Sequence, residues 1–248
     1  MLTALNIISL SLIIFIASIV RGFTGFGLAL VAVPLIQFFI PVSDTAVFIA
    51  MINAIFSILY FRRSREIVRG QPLGRMAVWT GAGVAAGTLI LKYVNPAYIQ
   101  LTWGVLIIFI VMALARGMNF GIKTDTSAMT LSGIFGGVLA GATGITGPPV
   151  AIILASIKTP KEKFNALISI FILFAVTYAL LFYLISGLVR TEIFFLALSS
   201  IPALLAGLYT GDRLVARISQ KTFTNIVYIV LIMMGIITLF KGAKALAG

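Results

Sequence analysis

Gly141-Ala142-Thr143-Gly144-Ile145-Thr146-Gly147-Pro148-Pro149 is the stretch that decides how this chain is read. It separates two apolar runs, about 127–141 and 145–157, and its Gly-Pro-Pro sequence interrupts a helix rather than merely thinning it. A second stretch, Gly22-Phe23-Thr24-Gly25-Phe26-Gly27, stands 119 residues earlier and aligns with it: Gly22 with Gly141, Thr24 with Thr143, Gly25 with Gly144. Each precedes an apolar run (26–40 and 145–157) that is short for a membrane span, which takes about 20 residues.

Outward from these two stretches the chain is apolar almost throughout. Of 248 residues, 61% are hydrophobic and 10% charged, against about a quarter charged in a soluble domain. Mean hydropathy is +1.17. The surface therefore faces lipid, and the expected fold is an all-α polytopic membrane protein. Ten hydrophobic segments are marked, at about 3–20, 26–40, 43–61, 74–92, 98–115, 127–141, 145–157, 164–186, 192–210 and 222–240. Met1–Asn6 carries no Lys or Arg, no small-x-small cleavage site precedes Arg21, and the chain stays hydrophobic afterwards. The first segment is thus read as a retained helix rather than a signal peptide.

The similarity between the two stretches continues downstream. Asn53-Ala54 matches Asn165-Ala166, and Gly83-x-x-x-Gly87 matches Gly207-x-x-x-Gly211, with the offset drifting to 112 and then 124. This reads as an internal duplication: a first transmembrane repeat over 1–120 and a second over 121–248, five segments each, forming one transmembrane domain. An odd number of spans per repeat inverts the second copy. If Arg62, Arg63, Arg65, Arg69 and Arg75 are cytoplasmic and all ten segments cross, 14 basic residues fall inside and 4 outside, as the positive-inside rule requires. Arg21 is among the 14, and both termini lie outside. The alternative, re-entrant half-helices at the two short segments, reduces the count to about eight spans.

The residue inventory excludes much chemistry. Without cysteine or histidine there is no disulfide, thiolate nucleophile, usual zinc site or imidazole base, so no enzyme, metal or cofactor is expected. The +12 net charge is accounted for by cytoplasmic loops, not nucleic acid. The expected partners are a small anionic substrate and the bilayer, and a homodimer is compatible with the sequence.

Candidate binding residues cluster at the interruptions. Backbone that leaves a helix at membrane depth must face protein or a water-filled cavity, and the N–H groups opening the next half-helix carry partial positive charge suited to an anion. Paired interruptions in inverted repeats point to a midplane substrate site. Gly22, Gly25, Gly27, Gly144 and Gly147 allow close approach to backbone. Thr24, Thr143 and Thr146 bring hydroxyls, and Pro148 suits a first helical turn. Asn53 and Asn165 are read evenly as interhelical glue or ligand contacts. Arg21 is read as complementing an anion or as an interfacial snorkelling residue. Gly83/Gly87 and Gly207/Gly211 are read as helix-packing positions, and Gln37 and Gln100 receive no role. All six acids (Asp44, Glu66, Asp125, Glu162, Glu192, Asp212) lie at loops or segment ends, so proton coupling lacks its usual mid-span carboxylate. The membrane potential alone supplies about 2.3 kcal/mol per charge per 100 mV to an anion leaving a negative interior.

At Gly22–Gly27 with Pro34, at Gly141–Pro149 followed by Asn165-Ala166, and at the Arg-rich loop and Gly83-x-x-x-Gly87, the chain resembles the sulfite exporter TauE/SafE family of membrane transporters, over essentially its whole length. The resemblance implies a secondary transporter moving sulfite or small organosulfonates such as sulfoacetate outward across a bacterial inner membrane. An anion channel of the same fold, or a transporter of another small organic anion, remains the alternative.

Overall fold

The computed structural model describes residues 4–24, 27–116, 122, 124–157, 159–215 and 220–247. Among them all regular structure is helical. The helices are α1 (Ala4–Thr24), α2 (Leu28–Ile36), α3 (Val42–Ile67), α4 (Leu73–Tyr93), α5 (Pro96–Ala115), α6 (Asp125–Thr143), α7 (Pro148–Ser156), α8 (Lys161–Ile185), α9 (Thr191–Ser199), α10 (Ile201–Val215) and α11 (Gln220–Ala247). Pro96–Ala113, Glu162–Ile185 and Thr191–Gly211 are long and apolar enough to cross a membrane, and Asn6–Gly22 and Val42–Ile58 are shorter apolar helices.

Three boundaries differ from the sequence expectation. α1 runs through Arg21 and Gly22 to Thr24 before it stops. α3 continues to Ile67, so Arg62, Arg63 and Arg65 ride on a helix rather than a loop. Arginine is a good helix former, and the chain turns only near Gly70, at φ +87°. The segment expected over 192–210 divides into α9 and α10. Pro202 offers no N–H to the Leu198 carbonyl, and the Ser200 N–H turns back onto the Leu196 and Ala197 carbonyls at 3.2 Å.

Glycines set the closest helix pair. α4 and α6 run side by side in the same direction, Gly133 and Gly137 lying against Thr80 and Gly141 against Val84 and Thr88. A Cβ on Gly83 would come 2.7 Å from the Ile134 carbonyl oxygen, and one on Gly87 would collide with the Val138 carbonyl. α1 and α10 repeat the arrangement, with Gly207 on Phe15 and Gly211 on Ile19. The four glycines read as packing positions are therefore at backbone-to-backbone contacts. α5 and α11 pair in opposite directions, Gly104 facing Gly235 and Leu239 while Gly242 faces Leu101. α3 packs on α8, and Phe48, Ile49, Ile52, Phe171 and Ile172 are fully buried in the core.

α6 and α8 also run in the same direction. Lys163 pairs with Asp125 at 3.2 Å where both begin, and the Tyr183 hydroxyl reaches the carbonyls of Ala140 and Gly141 where both end. Residues 144–160 must therefore return the chain along the length of α6. The nine residues of α7 rise about 13 Å, and the flanking non-helical residues cover the rest at up to about 3.3 Å each.

At the end of the bundle where α3 and α9 begin, Arg190 bonds Asp44 at 3.1 Å. Nearby, Gln100 Nε2 donates to Gln37 Oε1 at 3.2 Å and Lys241 Nζ donates to the Gln37 carbonyl.

Gly87→Ala and Gly141→Ala are each expected to cost about 1–3 kcal/mol by forcing α4 and α6 apart. Gly74→Ala, whose Cβ meets nothing within 4 Å, should leave stability unchanged or raised. Thermal unfolding in detergent checks the contrast.

Candidate functional site

The first junction joins α1 to α2. Arg21 sits in the last turn of α1 and is 2% exposed. Its Nη1 donates to Asn53 Oδ1 at 2.5 Å, and its Cζ lies 3.3 Å from the centroid of the Phe56 ring. Asn53 and Phe56 stand three residues apart on one face of α3, so that helix offers the guanidinium an acceptor and an aromatic face together. The sequence count placed Arg21 among the cytoplasmic charges; the structure instead buries it inside the bundle. Asn53 is fully buried, and its Nδ2 has no acceptor among the described residues.

α2 opens at Gly27, which is buried and helical in conformation, with no side-chain cap. The Val31 N–H returns to the Gly27 carbonyl at 3.3 Å. The N–H groups of Leu28, Ala29 and Leu30 meet no acceptor among the described residues, and all three residues are at most 2% exposed. Every helix begins with such groups, but buried ones left unmatched are rare. Gly22 is half-buried within α1. Gly25 and the side chain of Thr24 lie outside the described residues.

The second junction, between α6 and α7, is more fully closed. Gly144 takes φ +77° and donates to the Ala140 carbonyl at 2.8 Å, the usual left-handed helix stop. A Cβ there would also press on the Ala46 carbonyl of α3 at 2.9 Å. The Thr143 hydroxyl donates to the Leu139 carbonyl at 2.6 Å and accepts from the Ile145 N–H at 3.2 Å. Tyr183, fully buried on α8, directs its hydroxyl at the carbonyls of Ala140 and Gly141, 2.9 Å from each. Pro148 and Pro149 open α7 and bring no N–H. What remains open among the described residues are the N–H groups of Thr146, Gly147 and Val150, again at buried residues.

α3 links the two junctions. Ala46 lies against Gly144 and Asn53 holds Arg21; seven residues separate them, about 10 Å along the axis. Asn165 is not drawn in. It is exposed, one turn into α8. α3 and α8 each start after a proline, Pro41 and Pro160, which preserves the 119-residue offset of the glycine stretches. At that offset Asn165 stands opposite Ala46 and Asn53 opposite Ile172, whereas the dipeptide match uses an offset of 112; Asn53 is fully buried and Asn165 exposed. By the same register Arg21 corresponds to Ala140 and Phe56 to Ala175, which makes the first junction the polar one.

Sequence reasoning missed Phe56, Tyr183 and the Gln37–Gln100 bond. Tyr183 did carry a signal, because a tyrosine in a long apolar helix needs a partner for its hydroxyl.

Apolar helices enclosing a buried arginine and unmatched backbone donors mark a membrane-embedded protein. The chain belongs to the sulfite exporter TauE/SafE family, whose profile matches residues 10–238. A similar curated protein is the "Probable sulfite/organosulfonate exporter TauE" of Cupriavidus necator, 22% identical over 220 residues, which cover 86% of this chain and 85% of that protein. No solved structure matches.

Tyr183→Phe leaves the Ala140 and Gly141 carbonyls one donor short in an apolar interior. The expected cost is about 1–3 kcal/mol of stability, read as a lower unfolding temperature in detergent.

Proposed function

We propose that this chain is a secondary transporter exporting small sulfur-containing anions, sulfite or organosulfonates such as sulfoacetate, across the bacterial inner membrane. The observation that carries the reading is the buried Arg21 guanidinium in the last turn of α1, a few residues before α2 opens with the N–H groups of Leu28, Ala29 and Leu30, which meet no acceptor among the described residues. A cation held in an apolar bundle, with oriented donors near it, lowers the cost of bringing in an oxyanion. Three further open N–H groups at Thr146–Val150 offer donors from the second junction. Asn53 Nδ2 adds a side-chain donor. Arg21, Asn53, Gly27, Thr146, Gly147 and Pro148 therefore form the centre of the proposed site, and Asn165 leaves it. The anion's charge and the membrane potential together favour outward movement.

The reading includes two inverted repeats with broken helices, 1–120 and 121–248. It is supported by the helix pairs, which exchange when the halves are exchanged: α4 with α6 against α10 with α1, while α3–α8 and α5–α11 map onto themselves. The return of residues 144–160 along α6 supports a full crossing rather than a re-entrant loop. In this arrangement the Asp44–Arg190 pair faces outward and the Asp125–Lys163 pair faces the cytoplasm.

Arg21→Ala is expected to weaken anion binding at least tenfold and to abolish export, whereas Asn165→Leu should leave both unchanged. Stabilisation of the purified protein by sulfite, sulfoacetate and taurine, with sulfate and chloride as controls, reads binding by mass action, and proteoliposome flux reads export. Unchanged affinity in Arg21→Ala would move the site elsewhere, and flux that never saturates would favour a channel. Because the chain has no cysteine, topology is open to a clean test. Ser186→Cys should react with an impermeant maleimide on intact cells and Ser127→Cys only after the membrane is opened.

A further inference from the structure

α5 and α11 pack closely on each other, Gly104 against Gly235 and Leu239 and Gly242 against Leu101. Outside this pair, their only extended backbone approaches among the described residues are of α11 to α2 and of α5 to α7. These are the two nine-residue helices that follow the interruptions. Toward α4 and α6 the packing is open: cavities of about 220 and 320 Å³ lie between those helices and Tyr98, Thr102, Leu106 and Phe109 of α5.

The pair is fastened at one end. Gln37 is the C-cap residue of α2, and Gln100 Nε2 of α5 donates to its Oε1 at 3.2 Å. Lys241 Nζ of α11 donates to the Gln37 carbonyl and stands 4.3 Å from the centroid of the Phe38 ring. An ammonium suits both the negative end of a helix and an aromatic face. Gln37 and Gln100 are 8% and 6% exposed, so the bond between their amides is shielded from water. α7 ends without such a tie among the described residues. Its Ser156 hydroxyl turns back onto the Ile153 carbonyl at 2.7 Å, and its C-cap is the apolar Ile157. Ile152 of α7 and Ala113 of α5 form a small cluster apart from the main core.

Resting on the transporter reading above, we infer that α5 and α11 move as one body, and that Gln37, Gln100 and Lys241 form the latch that holds this body on α2 and closes the outer side of the site. In the topology proposed above, all three residues lie at the outer ends of their helices. At its other end α2 carries the Leu28, Ala29 and Leu30 N–H groups of the proposed site. One neutral amide bond and one ammonium contact are enough to select a position, and weak enough to be broken and remade. There is also room for the motion. At about 100° per residue, Gln100 stands nearly opposite Thr102, Leu106 and Phe109 on α5, so the latch and the open space lie on opposite sides of the helix. When the latch opens, the α5–α11 body tilts toward α4 and α6 and uncovers α2 from outside.

Because the chain has no cysteine, pairs of spin labels report the motion directly. Labels at Thr191→Cys and Lys244→Cys, both exposed positions, measure from α9 to α11. Labels at Tyr98→Cys and Lys244→Cys measure within the α5–α11 body. In lipid nanodiscs, adding Gln100→Leu and Lys241→Met should shift or split the first distance and leave the second unchanged. An unchanged first distance, or a change in both, would overturn the proposal. A second measurement closes the latch instead. Gln37→Cys with Gln100→Cys, bridged by a short bis-methanethiosulfonate, should lose export of sulfoacetate while sulfoacetate still stabilises the protein, and export should return on reduction. Undiminished export by the bridged protein would show that the latch gates nothing. If the unmodified protein exports none of the anions, the transporter reading fails, yet the label distances still decide whether the body moves.

Discussion

Where water is absent, every backbone group that leaves a helix must find another partner, and the architecture of this chain is organised around meeting that requirement twice. α1 and α6 each end a few residues before the next helix begins, at Thr24 before Leu28 and at Thr143 before Pro148. At the α6–α7 junction the end of α6 is closed by the left-handed Gly144, the Thr143 hydroxyl and the Tyr183 phenol, while the N–H groups of Thr146, Gly147 and Val150 meet no acceptor among the described residues. At the α1–α2 junction the N-cap of α2 is Gly27, which has no side chain, and the last turn of α1 carries the buried Arg21. Both junctions thus leave amides open among the described residues, and the first alone has a buried arginine in the turn before it. The difference lies in Arg21 and Asn53, where an offset of 119 residues gives Ala140 and Ile172.

Glycine contacts hold these junctions at their levels. Because α4 meets α6 backbone to backbone at Gly83, Gly87, Gly137 and Gly141, the end of α6 cannot slide without losing several close contacts at once. α3 carries that position across to the other junction, touching Gly144 at Ala46 and Arg21 at Asn53. Any movement of one junction relative to the other is therefore expressed as a displacement along or about α3.

Much of this was legible in the amino-acid order, since hydropathy, glycine spacing and proline report directly on local backbone. The apolar helical segments and the packing role of the paired glycines fall in that class. Arg21 was not legible as a buried residue. At the end of an apolar run an arginine looks interfacial, and only the facing Asn53 and Phe56, more than 30 residues away, turn it inward. The two asparagines share a dipeptide but not an environment: Asn53 is fully buried against Arg21, while Asn165 is exposed one turn into α8. Gln37 and Gln100 were each ambiguous alone, because a lone amide in a span acquires meaning only from its partner. The division of α9 from α10 had a local signal in Pro202 that the surrounding apolar run masked.

The pairing of α1 with α10 has a consequence for how the protein is made. Phe15 meets Gly207 roughly 190 residues later in the chain, which at about 5–20 residues per second is ~10–40 s of ribosome time. Through that interval α1 must reside in the bilayer or the insertion machinery without its closest neighbour, carrying an arginine. Asn53 emerges from the ribosome within a few seconds of Arg21 at those rates and gives the guanidinium an early acceptor. The contact that holds Arg21 in the finished bundle is thus also among the first available to shelter a charge during biogenesis.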